Sequence, residues 1–328
     1  MIKCYACKES LENGRSFEHI INNSIGGHEG FYDLLCKKCN ERFGDTIDKE
    51  LSGQLRDLGI LLDIKRDRAL DEPKIKMSTA DGQIKEVGFG MKPHIKLSFP
   101  TKDKHVEIFT TDNKYKGLVR AKTRELSKDG TVTFVESTEL PTKEKYYLKN
   151  DFSQGDGFRK FGGPLMHRSV AKICVNRYLA RGYEPKYCAG IIQFIKGNLK
   201  PYPHFYYFPT TYTIHKLQKG EVSHVIYLRG DTRNRVLYAY IELFNFENSL
   251  VIFDMEYSGE DFTDSYIWDT LIGKEVEKNI SIRLTRNHLE DLDLICQDFY
   301  NPYVQRFNNL LQIIEQRQKE GIIGASNK

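Results

Sequence analysis

Four cysteines near the N-terminus stand in two pairs whose spacing is typical of a metal site. Cys4 and Cys7 form one C-x-x-C pair, and Cys36 and Cys39 form a second. Each pair can present two thiolates from one tight turn, and two pairs together make the tetrahedral sulfur set that Zn²⁺ prefers. We therefore predict a structural zinc ion here, the alternative being free buried thiols. The pairs are farther apart than a minimal zinc ribbon requires, so additional structure is expected between them.

The segment between the two pairs contains residues suited to hydrolysing a phosphodiester. That reaction needs a base to activate water and a cation to neutralise charge on the phosphate. His19 is the candidate base, because the ordinary histidine pKa of about 6.5 leaves the ring largely neutral near pH 7. Glu18 and Asn40 offer the oxygen ligands that Mg²⁺ or Mn²⁺ prefers. Because neighbouring residues of a strand point to opposite faces, Glu18 and His19 can share one phosphate only where the strand ends or bends.

The order of these residues resembles the HNH, or ββα-metal, nuclease family, in its branch with zinc knuckles. The resemblance implies a ββα fold, His19 as general base, Glu18 and Asn40 as ligands of a catalytic metal, and DNA as substrate. It also implies products with 5′-phosphate and 3′-hydroxyl ends. The shared markers lie within residues 4–50 and, besides the first cysteine pair, are Glu18-His19-Ile20, Ser24, Gly26-Gly27 and Leu35-Cys36-Lys37-Lys38-Cys39-Asn40.

One position departs from the family pattern. At the family's middle asparagine this chain has Asp33, whose carboxylate accepts hydrogen bonds but cannot donate them. We expect Asp33 to have a supporting role at the catalytic site.

Plainer alternatives exist for several of these residues. Asn40 is also suited to capping the N-terminus of a helix. Gly26 and Gly27 are expected to form a turn with positive φ rather than to contact substrate. The alternative for the whole chain is a non-catalytic zinc-knuckle nucleic-acid-binding module or transcriptional regulator. Such a protein would keep the cysteines and have no need of Glu18, His19 and Asn40.

A helix is predicted directly after Asn40 and should close the site against the hairpin between the knuckles. Its apolar residues recur every three or four positions, at Phe43, Ile47, Leu51, Leu55 and Leu58. Residues 1–65 are accordingly assigned to a nuclease module with structural zinc. Residues 66–82 are charged and rich in turn signals, so they are assigned to a linker. Residues 83–328 are assigned to a regulatory or targeting domain.

The predicted fold class is α+β, with the larger domain built from an antiparallel sheet flanked by helices. A helix with an apolar face formed by Met166, Val170, Ile173, Cys174 and Tyr178 should begin at Pro164 and stop at Gly182. Further helices are predicted at 185–196, 286–296 and 302–319. Strands are predicted at 84–89, 95–99, 106–110, 131–135, 222–228, 236–246 and 250–257.

Three stretches of the larger domain have side chains that bind nucleic acids in other proteins. They are the basic residues 114–128, the predicted hairpin turn 229–235 with its three arginines, and the aromatic residues 202–209. Basic loops can contact phosphates and exposed aromatic rings can stack on bases. The alternatives are solvated charge and ordinary aromatic core.

Length and composition narrow the function class. The chain has 328 residues, 40% of them apolar, which favours two domains with real cores. The net charge of +4 gives no basic tail, and neither a membrane span nor a secretory leader is predicted. Of seven cysteines, only the four in the knuckles are paired by spacing, which favours a reducing cytoplasm.

Together these features predict a cytoplasmic HNH endonuclease acting on DNA, of the kind used in restriction or anti-phage defence. Its C-terminal domain would gate or target the nuclease in response to a small-molecule or protein activator. No membrane partner is expected, and a homodimer is an open possibility.

Overall fold

A computed structural model describes residues 2–12, 14–64, 66, 75–79, 84–87, 95–100, 105–110, 146–148, 161–198, 200, 202–208, 217–291 and 300–326. By its contacts the chain divides into two compact units, residues 1–68 with 160–316, and residues 69–159 with 317–328. The first unit therefore joins the cysteine-bearing segment to distant parts of the chain. The sequence-based bounds of 1–65, 66–82 and 83–328 stay a prediction. The predicted α+β class is confirmed by mixed helices and antiparallel sheets.

The N-terminal segment has the predicted ββα order. Strands β1 (Arg15–His19) and β2 (Gly30–Cys36) form an antiparallel hairpin. Helix α1 (Lys37–Phe43) follows at once, and a π-helical turn, Gly44–Asp48, joins it to helix α2 (Lys49–Leu61). The predicted apolar stripe is confirmed, since all five of its residues are buried. On an ideal α-helix, residues four apart are rotated by about 40° relative to one another, so a stripe with four-residue spacings would wind around the helix. The wider π turn offsets part of this rotation.

The loop between β1 and β2 depends on its two glycines. Gly26 has a φ of 93°, so the predicted positive-φ turn is confirmed there. A side chain at Gly27 would meet the carbonyl oxygen of Ile21 at 1.9 Å. The two glycines therefore shape the loop between β1 and β2, Gly26 through its positive φ and Gly27 through the close approach of Ile21.

The second compact unit contains two small antiparallel sheets. One has the order β4-β3-β7, from β3 (Ile75–Thr79), β4 (Ile84–Val87) and β7 (Tyr146–Leu148). The other pairs β5 (Ile95–Pro100) with β6 (His105–Thr110). The predictions for β4, β5 and β6 are confirmed to within two residues, whereas β3 falls inside the stretch predicted as a linker. The predicted strand 131–135 and the basic stretch 114–128 lie outside the described residues.

The rest of the first unit is a six-stranded antiparallel sheet with helices. Two helices come first, α3 (Pro164–Ala180) and α4 (Ala189–Lys196). The sheet has the order β13-β12-β9-β10-β11-β8. Helices α5 (Arg286–Glu290) and α6 (Tyr300–Ser326) follow it, and residues 300–316 of α6 belong to this unit. The strands are β8 (His204–Tyr206), β9 (Ser223–Asp231), β10 (Val236–Leu243), β11 (Glu247–Asp254), β12 (Phe262–Asp269) and β13 (Lys274–Glu275).

Most elements of this region match the sequence-based predictions. The helices around 164–181, 185–196 and 302–319 and the three long strands are confirmed, with shifted ends. Strand β12 was missed, because residues 262–269 mix acids and hydroxyl side chains with aromatic ones and show no apolar run. The predicted helix 286–296 is helical over its first five residues, and residues 292–299 lie outside the described part.

Helix α3 packs against α2 and the π turn, and also against β9, β10 and α4. Its predicted apolar face is buried, but so are Ser169, Lys172, Asn176 and Arg177 elsewhere on the helix. Arg177 forms ion pairs with Glu29 at 2.9 Å and Asp264 at 2.7 Å. The helix is thus anchored to both the N-terminal segment and the sheet. Among the described helices, none has the length and apolar character needed to cross a bilayer.

Glu247 is a fully buried acid at the start of β11. The Tyr303 hydroxyl donates to its Oε2 at 3.2 Å, and its Oε1 has no hydrogen-bond partner among the described residues. Burial raises the pKa of Glu247 to about 8, and bonds from Tyr303 and Tyr206 only partly offset this. Because the folded-state pKa lies above the ordinary one of about 4.3, the stabilisation from this group is complete at low pH. It is lost as the pH rises toward 8.

We expect the free energy of unfolding to fall by a few kcal/mol between about pH 5 and pH 8 because of Glu247, at about 1.4 kcal/mol per pKa unit. Urea unfolding across this range should show the fall in the wild type and a flatter profile in Glu247→Gln. Glu221→Gln is the control. Burial raises the Glu221 pKa, but hydrogen bonds from Gln218 and Lys278 outweigh it and leave the pKa lowered. A slope unchanged in Glu247→Gln would contradict the prediction.

Candidate active site and metal centre

The four knuckle cysteines converge on one point. Their sulfur atoms all lie within 4.8 Å of one another, and the sulfurs of Cys7 and Cys36 are 3.6 Å apart. Tetrahedral Zn–S bonds of about 2.3 Å place sulfur atoms about 3.8 Å apart. The cluster can therefore hold a structural metal ion such as zinc.

The electrostatics of the cluster also favour a bound cation. Burial raises the pKa of the Cys39 thiol, and the neighbouring cysteines raise it further. At Cys4 burial also raises the pKa, but backbone N–H groups of Cys36, Cys7 and Ala6 outweigh it and leave the pKa lowered. Four thiolates this close would repel one another, so a divalent cation is what allows all four to lose their protons.

Glu18 and His19 end strand β1 and line the same cavity, whose volume is about 180 Å³. The pairing of β1 with β2 is irregular at this point: Ser16 lies opposite Leu35, but Glu18 lies opposite Phe31. The hairpin is thus distorted where two adjacent residues must reach one phosphate. The residues that line the cavity are Phe17, Glu18, His19, Asn22, Asn23, Asn40 and Asp48.

Asn40 presents its oxygen rather than its nitrogen to the cavity. Its Nδ2 donates to the carbonyl oxygen of Phe17 at 3.0 Å and to Oγ of Ser16 at 2.8 Å. A carbonyl can only accept, so these bonds fix the orientation of the amide, and no described residue donates to Oδ1. Helix α1 begins at Lys37 with Cys36 at its N-cap, so the alternative role of Asn40 as an N-cap is wrong.

Asp33 does not join the cavity. It lies in the irregular stretch of β2 and is half exposed, and its Oδ1 lies 3.0 Å from Nη1 of Arg15. The structure therefore brings together Glu18, His19 and Asn40, but not the expected fourth residue. An exposed pair of this kind contributes little to stability.

The cysteine cluster, the hairpin that ends in Glu18 and His19, and the helix that carries Asn40 are contiguous in the chain. Residues 4–56 match the model of the HNH endonuclease family. This HNH segment contains all four cysteines and every residue that lines the cavity. The comparisons with curated proteins and with solved structures found no match to the chain.

Glu18 of the HNH segment is held from helix α3. It is 5% exposed, its Oε1 forms an ion pair with Nζ of Lys172, and Nδ2 of Asn176 donates to the same oxygen at 3.0 Å. No described residue donates to Oε2. Glu18 therefore has one oxygen fixed by α3 and one available to a ligand in the cavity.

Asp48, at the end of the π turn, is bound by α3 through both carboxylate oxygens. The Ser169 hydroxyl donates to Oδ1 at 2.7 Å, and Nζ of Lys172 lies 2.8 Å from Oδ2. Asp48 thus lines the cavity as a second carboxylate, but both of its oxygens have partners.

The charges at this site leave an excess of negative charge. Burial raises the pKa of Glu18, and Lys172 acts to lower it. Burial alone would lower the pKa of Lys172, but Asp48 and Glu18 outweigh that effect and raise it, so the ammonium stays charged. Two carboxylates and one ammonium make a cavity that attracts a cation.

Four residues of this site were missed by the sequence analysis: Asp48, Ser169, Lys172 and Asn176. Asp48 is the last residue of the π turn, which alters the helical phase and so conceals the direction of its side chain from a regular helical pattern. The three residues of α3 do have a signal, because positions i, i+3 and i+7 share one helix face. Only the apolar face of α3 was predicted, and nothing in the sequence relates that helix to Glu18.

The structure bears on two of the nucleic-acid-binding stretches predicted for the larger domain, beginning with the arginine-rich turn 229–235. Arg229 lies on β9 rather than in the turn, 3.3 Å from Asp231 and 3.7 Å from Asp261. Arg235 is paired with Glu256. Two of the three arginines are therefore partly neutralised, which weakens the case for a phosphate-binding turn.

The aromatic stretch packs within the first unit. His204 stacks on His167 with ring centroids 3.8 Å apart, and the hydroxyls of Tyr202 and Tyr206 hydrogen-bond to the His167 ring. The described part of this stretch, residues 202–208, thus follows the alternative of aromatic core.

Proposed function

We propose that this protein is a metal-dependent endonuclease that hydrolyses phosphodiester bonds in DNA. The observation that carries the proposal is the convergence of Glu18, His19 and Asn40 on one small cavity, within the segment that matches the HNH endonuclease family. A zinc-knuckle module that only binds nucleic acid would have no need of this convergence.

The roles of the three residues follow from their available atoms. His19 accepts the proton of the attacking water as general base. Glu18 Oε2 and Asn40 Oδ1 are the oxygens that would hold the cation, and its remaining positions would be left for water and phosphate. Mg²⁺ or Mn²⁺, when bound, supplies positive charge to the scissile phosphate and the leaving oxygen. Zn²⁺ at the four cysteines would have a structural role, because four thiolates would fill its tetrahedral coordination and leave no position for water or substrate.

The cavity is large enough for a phosphate with a hydrated cation. Its volume is about 180 Å³, several times the roughly 30 Å³ that one water molecule takes up in the liquid. A DNA backbone would lie across the mouth with its bases outside. Cleavage at this cavity would accordingly depend little on sequence, and selectivity would come from other surfaces.

The wider role that we propose is a cytoplasmic restriction or anti-phage effector whose larger domain responds to an activator. A cavity of about 590 Å³ beside β9 and β12 is the candidate activator site. Arg233 and Arg283 line it and form no ion pair with any described acid, which favours a small anionic ligand. A protein activator and a homodimer are the other arrangements under this proposal.

Incubation with supercoiled plasmid tests the proposed activity. We expect nicking and linearisation with Mg²⁺ or Mn²⁺, and none after EDTA treatment that leaves the zinc in place. Glu18→Gln supplies the matched control, because it keeps the shape of the cavity and removes the charge of one proposed ligand. The same incubation is repeated with either metal and with extracts of phage-infected cells as a source of activator. If the protein then retains DNA in a mobility-shift assay but does not cleave it, the result would instead favour the binding module.

A further inference from the structure

Helix α3 presents three buried polar residues to the HNH segment, hereafter the α3 polar row: Ser169, Lys172 and Asn176. Their exposed fractions are 0%, 1% and 0%. Their spacing of three and then four residues places them on one face of the helix. Polar side chains buried this deeply require partners, and here the partners are the two carboxylates of the candidate active site.

The α3 polar row accounts for three of the four carboxylate oxygens of Glu18 and Asp48. Lys172 contacts Glu18 Oε1 and Asp48 Oδ2, Asn176 donates to Glu18 Oε1, and Ser169 donates to Asp48 Oδ1. The fourth oxygen is Oε2 of Glu18, and Glu18 lines the cavity beside His19. The donors are therefore arranged so that one defined oxygen is left for a ligand.

Asn176 connects further parts of the HNH segment. Its Oδ1 accepts a hydrogen bond from the Tyr5 hydroxyl at 3.0 Å, and its Nδ2 also approaches the carbonyl oxygen of His19 at 3.4 Å. Tyr5 lies between the two cysteines of the first knuckle. One side chain thus contacts the knuckle, the proposed metal ligand and the backbone of the proposed base.

We infer that the α3 polar row is a set of positioning residues for the nuclease centre, an inference that rests on the proposed function. Lys172 and Asn176 fix the carboxylate of Glu18 so that Oε2 meets the catalytic cation, and Ser169 with Lys172 fixes Asp48 behind it. Residues that hold a metal-binding carboxylate by hydrogen bonds tune metal affinity without touching the metal. The HNH segment alone is therefore an incomplete site.

The competing interpretation is that the Lys172 ammonium occupies the place of the cation and must leave before metal binds. Helix α3 is anchored on other sides by Arg177 to Asp264 and by Arg168, whose Nη2 donates to the Ile195 carbonyl at 2.7 Å. Moving Lys172 away would leave a buried ammonium without its carboxylates, which is strongly unfavourable. The contacts favour an ammonium that remains in place while Oε2 serves the metal.

Asn176→Leu in the full-length protein tests the inference, because it removes the contacts to Glu18 without changing the charge. We expect the Kd for Mn²⁺, measured by electron paramagnetic resonance, to rise about 10- to 100-fold, with zinc content unchanged. Cleavage should require correspondingly more Mn²⁺ and should recover at saturation. Arg168→Met is the matched control on the same helix and should keep the wild-type Kd.

Two further variants keep the test decisive. Ser169→Ala removes one hydrogen bond to Asp48 with little risk to folding and should weaken Mn²⁺ binding less than Asn176→Leu does. Lys172→Met removes a positive charge beside the cavity and so favours tighter Mn²⁺ binding on electrostatic grounds under either interpretation. Its Kd is therefore compared with that of Asn176→Leu, which leaves the charge unchanged. An Asn176→Leu Kd equal to that of Arg168→Met would overturn the inference.

The wild type separates failure of this inference from failure of the proposed function. If the wild type binds Mn²⁺ and cleaves while all α3 variants behave like it, only the positioning role is wrong. If the wild type neither binds a second metal ion beside zinc nor cleaves, the proposed function is wrong and the positioning role fails with it.

Discussion

His19→Ala is expected to give a folded, zinc-bearing protein whose DNA cleavage is slower by about 10²- to 10⁴-fold, the range that a general base contributes. The fold should tolerate the change because His19 is the last residue of β1 and is only half-buried, with its ring edge-on to Phe17 at 4.9 Å. Plasmid cleavage at saturating Mn²⁺, with thermal unfolding and zinc analysis of the same sample, makes the measurement.

His28→Ala is the matched control for this experiment. His28 lies in the loop that follows β1 and packs its ring against Trp268 at 5.1 Å, but it does not line the cavity. Its loss should leave the cleavage rate near that of the wild type. A folded His19→Ala protein that cleaves at the wild-type rate would remove His19 from the reaction.

The residues of the N-terminal site were largely predictable because they lie close together in the sequence, at spacings typical of metal ligands. A C-x-x-C pair places two sulfurs within one turn. Because the two pairs stand at the ends of a hairpin, the hairpin brings them together. The positions of Glu18 and Asn40 follow from the strand before the loop and the helix after it. Local pattern therefore predicted which residues converge at the cysteine cluster and which converge at the cavity.

The contribution of α3 was not predictable from pattern. Lys172 reaches Glu18 across 154 positions of the chain, and no local rule relates residues so far apart. The packing of the six-stranded sheet against the HNH segment could not be predicted from local pattern either. Nε2 of His224, on β9, donates to the Ile25 carbonyl at 2.8 Å. Nδ1 of the same ring accepts from the Phe244 N–H at 3.1 Å. The position of Asp33 outside the cavity could not be foreseen for a related reason, since the irregular pairing of β2 depends on how both strands pack.

Cys36→Ser is expected to abolish zinc binding and, with it, cleavage. Cys36 ends β2 and is the N-cap residue of α1, so its sulfur links the hairpin to the helix that carries Asn40. Binding of structural zinc contributes about 10–16 kcal/mol in zinc-finger peptides, comparable with the whole stability of about 5–15 kcal/mol of a typical domain. Elemental analysis should find no zinc, and hydrogen exchange should show loss of protection over residues 4–56.

Cys174→Ser and Cys188→Ser are the matched controls, because both cysteines are free and buried but lie outside the cluster. They should retain one zinc per chain and lose only modest packing energy. Zinc retained after Cys36→Ser would contradict the four-sulfur site. Loss of protection should also extend to α3 in Cys36→Ser, because Tyr5 of the first knuckle donates to Asn176 and ties the fold of the knuckle to the helix that positions Glu18.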